Sequence, residues 1–182
     1  MRVKLGYVGA LVAVLGFPGC REQSACLRAS VEPIRSSFRA DEPILMELSL
    51  TNACHSSIAV IDPGWTFGTT VCRIKDDEEK FVLPESLEKR SIDVPRHDLP
   101  KYQVFLRPGQ VLKRRVAINF AFGELAIKLA PGSYSGQCTY YLERDSLYFS
   151  GPMRDNLWLG SVASNEVAFQ VVGAGIKPGG RQ

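Results

Sequence analysis

The sequence has little to offer catalysis or cofactor binding. It holds two histidines, His55 and His97, and no C-x-x-C pair. Cys54, His55 and Cys72 lack the second nearby imidazole that a zinc site would use. There is no G-x-x-x-x-G-K-[ST] phosphate loop and no dinucleotide fingerprint. A serine-hydrolase elbow is missing too, because Gly132-Ser133-Tyr134-Ser135-Gly136 puts tyrosine where the nucleophile belongs. His97 and Asp98 are neighbours in sequence, which does not make a triad. Paired carboxylates for glycoside cleavage stay open, since the fold sets their separation. The chain therefore reads as a non-enzyme, with no cofactor and no metal.

Charge of one sign is also scarce. The formal net charge is +3 over 182 residues with the signs interspersed, which gives no footprint for nucleic acid. The run Asp76-Asp77-Glu78-Glu79 lacks the alternating oxygen ligands and the glycine of an EF-hand loop. It reads as a solvated hairpin tip. Helical periodicity is nearly absent, with at most one turn at Ser86 to Arg90. No apolar run reaches the length of about 20 residues that a membrane-spanning helix needs.

What is present begins with an export signal. Arg2 and Lys4 precede an uncharged apolar run from Leu5 to Phe17, and no carboxylate occurs before Glu22. This is the order of a charged n-region and an apolar h-region, so residues 1–19 are expected to be removed. The following Phe17-Pro18-Gly19-Cys20 resembles the lipobox of bacterial lipoproteins, with Gly19 and Cys20 matching it. The resemblance implies a lipidated Cys20 as mature N-terminus and a lipid anchor in a bacterial membrane. Arg21 after the cysteine implies the outer membrane, facing the periplasm. Cleavage without lipidation is the alternative. Fatty chains tether by about 0.8 kcal/mol per buried CH₂.

Cysteines stand at 20, 26, 54, 72 and 138. With Cys20 acylated, four remain in an oxidising compartment, where two disulfides are the expectation. Four cysteines allow three pairings.

The mature chain is organised around Glu42 to Asn52. Ile44, Met46, Leu48 and Leu50 recur at a spacing of two, so in a strand they leave one face and form a wall of the core. A short strand covers Cys26 to Val31 before Pro33 stops it, and Ile34 to Arg39 is a linker anchored by Phe38. Ile58 to Ile61 is a short apolar run, and Asp62-Pro63-Gly64 has turn chemistry. Thr69 to Lys75 pairs back with Phe81 to Leu83 across the acidic run. Pro84 to Tyr102 and Arg144 to Ser164 are long connections, a length associated with function or mobility. Leu106-Arg107-Pro108-Gly109-Gln110 is a tight turn into Val111 to Phe120, where Arg114 interrupts the stripe and suggests an edge. Tyr134, Gly136, Cys138, Tyr140 and Leu142 share a face of the next strand. Val167 to Val172 closes the sheet, and the Gly-rich residues 173–182 are expected to be disordered.

These features specify an all-β fold, an antiparallel β-sandwich of about seven strands. The series F-R-A-D-E-P-I with L-S-L-T-N, L-R-P-G-Q, L-A-P-G-S-Y and S-N-E-V-A-F-Q-V resembles immunoglobulin or fibronectin-III-like domains of bacterial exported proteins. The domain is expected over residues 20–172. Tyr134 stands where that family carries its tyrosine-corner residue. The resemblance implies a first strand beside the central one and the strand of Cys72 beside that of Cys138, hence the pairs Cys26 with Cys54 and Cys72 with Cys138.

The same resemblance places the connections Asp62 to Gly68 and Arg144 to Ser164 at one end. Trp65, Phe67, Tyr148, Phe149 and Trp158 would then gather as a recognition surface, since aromatics are common interface anchors. Alternatively they cap the core. Three functions follow. The first is a non-catalytic, membrane-anchored envelope lipoprotein that binds another envelope protein through its end loops. The second is a protease inhibitor, for which Pro63 to Gly68 departs from the N-P-T-T-G-Y loop of chagasin-like proteins. The third is a carbohydrate-binding module with Trp65 and Trp158 as stacking platforms.

Overall fold

The computed structural model describes residues 26–63, 69–82, 102–121, 125–126, 128–142 and 156–173. Every named element among them is a β-strand. In chain order these are β1 (Leu27–Pro33), β2 (Ser37–Arg39), β3 (Leu45–Asn52), β4 (Ile58–Ile61), β5 (Thr70–Asp76) and β6 (Gln103–Leu106). There follow β7 (Val111–Ala117), β8 (Phe120–Ala121), β9 (Leu125–Ala126), β10 (Gly132–Leu142), β11 (Gly160–Ala163) and β12 (Val167–Val172).

The alternation around β3 carries through to packing. Ile44, Met46, Leu48 and Leu50 are each at most 1% exposed, as period-two burial of one strand face requires. β3 pairs antiparallel with β1 on one side and β7 on the other. Among the described strands β7 is thus an edge, as the break at Arg114 suggests.

The second sheet is built on β10. β5 takes one of its edges along Tyr134–Tyr140. The other edge is shared, with β12 along Gly132–Gly136 and β11 along Thr139–Leu142. Ser164 fills the gap between them, its backbone N–H donating to the Cys138 carbonyl and its Oγ accepting from the Cys138 N–H. β2 adds to β12 in parallel, so this sheet is mixed. Smaller pairs, β4 with β6 and β8 with β9, complete the described strands.

The two main sheets share their core. Leu48 and Met46 of β3 pack in one apolar cluster with Ile74 of β5, Cys138 of β10 and Phe169 of β12. Leu50 packs in a second cluster with Tyr140 and Leu142, next to β4 and Trp158. Asn165 ties the layers by polar contact: its amide accepts from the Val31 N–H and donates to the Val31 carbonyl. The peptide group of β1 is thereby satisfied beyond its own sheet, and that edge is covered against foreign strands.

Both expected disulfides are present, Cys26–Cys54 and Cys72–Cys138. The first joins the residue before Leu27 to the loop just after Asn52, its register partner. The second links residues directly opposite one another in β5 and β10. The Tyr134 hydroxyl donates to the Ala130 carbonyl at 2.8 Å and its ring stacks on Phe169.

Three expectations need correction. The second main sheet is mixed and not purely antiparallel, because β2 adds to β12 in parallel; the described strands number twelve, six of them with four residues or fewer. The stretch Ile34 to Arg39 is not only a linker, since it contains β2 with Phe38 buried. Arg144 to Ser164 is not one connection, since it contains β11. Residues 1–25 and 174–182, with the signal, Cys20 and the tail, lie outside the described residues.

Replacing Leu48 by Ala is expected to cost about 2–5 kcal/mol, whereas Leu48→Asp places an unpaired charge in the shared core and should abolish the cooperative melt. A cooperative thermal transition retained by Leu48→Asp in circular dichroism would refute this wall of the core.

Candidate functional site

The stems of the connections that carry the aromatic residues meet at one end of the domain. β10 runs out to Leu142, and β5 begins beside it at Thr70, the register partner of Tyr140. The Tyr141 N–H donates to the Thr69 carbonyl at 2.8 Å. The returning chain, Asn156 to Trp158, lies along β4: the Ala59 N–H donates to the Asn156 carbonyl, and the Trp158 N–H donates to the Ala59 carbonyl, both at 2.8 Å. A third long connection ends here too, since the Asp62 N–H donates to the Tyr102 carbonyl at 2.7 Å.

Two side chains fix the place where β4 hands over to its loop. Tyr140 is fully buried, and its phenol both donates to the Ile61 carbonyl and accepts from the Ile61 N–H, each at 3.0 Å. Its ring lies 5.6 Å from that of Trp158. Burial drives the Tyr140 pKa well above the ordinary phenol range, partly offset by the hydrogen bond with Ile61. Next to it, the Asp62 carboxylate is 7% exposed and is gripped by Arg114 in a bidentate pair, Nε to Oδ1 at 2.8 Å and Nη2 to Oδ2 at 2.6 Å. The hydrogen bond that Arg114 donates to Asp62 holds its guanidinium above the usual pKa, against the opposing effect of burial. Arg114 also donates to the Lys113 carbonyl, so one side chain joins the edge strand β7 to the foot of the loop.

Asn52 performs a similar task one turn away. Its amide donates to the Ser56 and Leu106 carbonyls and accepts from the Cys54 N–H. The turn before β7 is fastened to it: the Gly109 N–H donates to the Asn52 carbonyl, and the Asn52 N–H donates to the Gln110 carbonyl. Gly109 has φ of 77°, the left-handed conformation that a Pro-Gly turn assigns to glycine.

Among the described residues, Thr70 Oγ1, Gln103 Oε1 and Trp158 Nε1 are buried with no partner. A buried polar atom left unsatisfied costs about 1–3 kcal/mol, and such atoms mark places where strain or recognition is concentrated.

The residues expected to form the recognition surface divide sharply. Trp158 is 0% exposed and belongs to the core beside Tyr140. The indole that the carbohydrate reading uses as a platform is thus part of the interior, and this one aromatic caps the core. Trp65, Phe67, Tyr148 and Phe149 lie outside the described residues, as do His97 and Cys20. Cys26, Cys54, Cys72 and Cys138 are all oxidised in the two bridges, so none of them offers a thiolate. His55 is exposed. Among the described residues, no group of three or more His, Cys, Asp or Glu is placed to hold a metal. The acidic run is a hairpin tip: the Asp76 carboxylate accepts from the Glu78 and Lys80 N–H groups, while Lys75 pairs with Glu79 and Lys80 with Glu78.

The sequence assigns the side chains of Tyr140, Asp62, Arg114 and Asn52 no part in the loop end. One signal was available, because an arginine that interrupts a core stripe must find a buried acid or leave the interior.

No family model matches the chain, and no curated protein does. Among solved structures it is similar to a β-glucosidase from Erythrobacter marinus, at 14% identity and a TM-score of 0.38, with 80% of this chain covered. The chain spans 15% of that enzyme's length. A likeness at that level carries no argument about activity.

Tyr140→Phe removes the groups that satisfy the Ile61 peptide and is expected to cost about 1–3 kcal/mol at neutral pH. The folded pKa of Tyr140 is raised, so its contribution is complete below the unfolded value of about 10 and is lost as pH rises past it. The gap in melting temperature between the parent and Tyr140→Phe should therefore be constant from pH 7 to 9 and narrow from pH 10 to 11.5. A gap that stays constant through pH 11.5 would contradict the role given to this phenol.

Proposed function

We propose that the protein is a non-catalytic lipoprotein of the bacterial envelope, anchored through Cys20, whose immunoglobulin-like domain binds another envelope protein through the connections at one end. The observation that carries this reading is the fastening of the loop stems. Ile61, Asp62, Thr69 and Trp158 are each held by a hydrogen bond to a neighbouring element. Preorganised stems reduce the ordering cost that a binding loop must overcome.

The sequence adds Trp65 and Phe67 in the short connection after Pro63, and Tyr148 and Phe149 in the longer one. These four are the proposed anchors; Trp158 is assigned to the core. Two bridges and an export signal fit an oxidising compartment. The all-β, mostly antiparallel architecture is compatible with an immunoglobulin-like sandwich, and the Tyr134 corner supports it.

The test is a pull-down from solubilised envelopes with the tagged full chain. Joint replacement of Trp65, Phe67, Tyr148 and Phe149 by Ala should abolish recovery of the specific partner while the melting temperature changes by no more than about 3 °C, as for surface substitutions. A large fall in melting temperature with partner recovery intact would assign these aromatics to the core instead.

A further inference from the structure

The chain enters the domain, at Cys26, at the same end as the loop stems. β1 begins at Leu27, opposite Asn52, and the row Arg28, Thr51 and Val111 crosses β1, β3 and β7 at this end of the first sheet. Leu27 packs in the same apolar cluster as Leu142, Leu157 and Trp158, where the loop stems meet. Cys26 is bridged to Cys54, so the chain entering the domain is fastened there. Only residues 21–25 separate Cys26 from Cys20, and a fully extended chain of that length reaches roughly 20 Å.

The surface around this entry point has a distinct chemistry. Phe105 and Val111, each 45% exposed, flank the turn Arg107–Gln110. Residues 26–30, 49–57 and 105–113 contain Arg28, Arg107 and Lys113 and no carboxylate. Arg28 and Arg107 are exposed. Lys113 pairs with Glu47, the first acid encountered along the outer face of the sheet. Exposed apolar side chains beside arginines that no described carboxylate pairs with are the composition of a surface that lies against anionic headgroups.

We propose that this end of the domain, with Phe105, Val111, Arg28 and Arg107, docks on a bilayer that carries anionic lipid. The inference rests on the lipid-anchor reading of Cys20, which supplies the proximity. A lipid chain gives reversible tethering, and each basic residue near an anionic surface adds to it. Docking orients the loop end toward the membrane, and the partner it meets is then one at the membrane surface.

The experiment uses the full chain produced in a bacterial host and reconstituted in phosphatidylcholine vesicles with or without phosphatidylglycerol, with brominated acyl chains as quencher. Val111→Trp is compared with Ile34→Trp, an exposed position at the far end of β1, after subtraction of the parent's fluorescence. The Val111→Trp indole should be quenched several-fold more than the Ile34→Trp indole. Adding Arg28→Glu and Arg107→Glu should bring the two together in vesicles with phosphatidylglycerol. Equal quenching of the two indoles, or quenching unchanged by charge reversal, overturns the proposal. The mass of the peptide containing Cys20 reports the anchor separately. An acylated Cys20 with an unquenched Val111→Trp indole rejects docking alone; an unmodified Cys20 removes the anchor and this docking with it.

Discussion

The structure depends on the burial of one face of β3 against the inner face of β10. Ile44, Met46 and Leu48 contribute to one apolar cluster and Leu50 to the next, while Cys138 lies in the first and Tyr140 and Leu142 in the second. These two strands therefore join both halves of the interior. A fully buried aliphatic side chain contributes about 1.5–3 kcal/mol, so Met46, Leu48 and Leu50 of β3, with Ile44 just before it, make this stretch the hardest to replace among the described residues. The disulfide from Cys138 to Cys72 fixes the neighbour of β10, and the one from Cys26 to Cys54 fixes the chain ends beside β3.

Polar side chains extend this core to the edges of the sheets. Asn165 satisfies the peptide of Val31, Tyr140 that of Ile61, and Asn119 accepts from the Ile44 N–H while donating to the Glu42 carbonyl. Each replaces a strand partner that the ladder does not supply, so backbone groups at sheet margins stay paired. Asp62 and Arg114 pair side chain to side chain, which joins the edge strand to the foot of a loop. Stability and loop presentation are consequently one problem at this end of the molecule.

The sequence was most informative where a local pattern sets the structure. The stripe from Ile44 to Leu50, the Pro-Gly turns at Pro108 and Pro131, and the even count left after Cys20 each constrain the chain within a few residues or by parity. β2 and β11 were illegible because three or four residues cannot establish a period. The burial of Trp158 was not decidable, since a tryptophan on a long connection serves equally as anchor or as surface. The Tyr140 phenol was legible as facing inward, but its acceptor at Ile61 lies 79 residues away, and nothing in periodicity reports such a distance. The same holds for Asp62 and Arg114, 52 residues apart.

The central claim is that the base of the loop end belongs to the core and is not a soft margin. Native-state amide hydrogen exchange measures this directly, because core amides open only with the whole domain whereas marginal ones open locally. The N–H groups of Ile61, Tyr141 and Trp158 should exchange in the same slow class as those of Leu48 and Leu50. Exchange of Ile61 and Trp158 within minutes, with β3 still protected, would show that the loop end frays independently and would contradict the account.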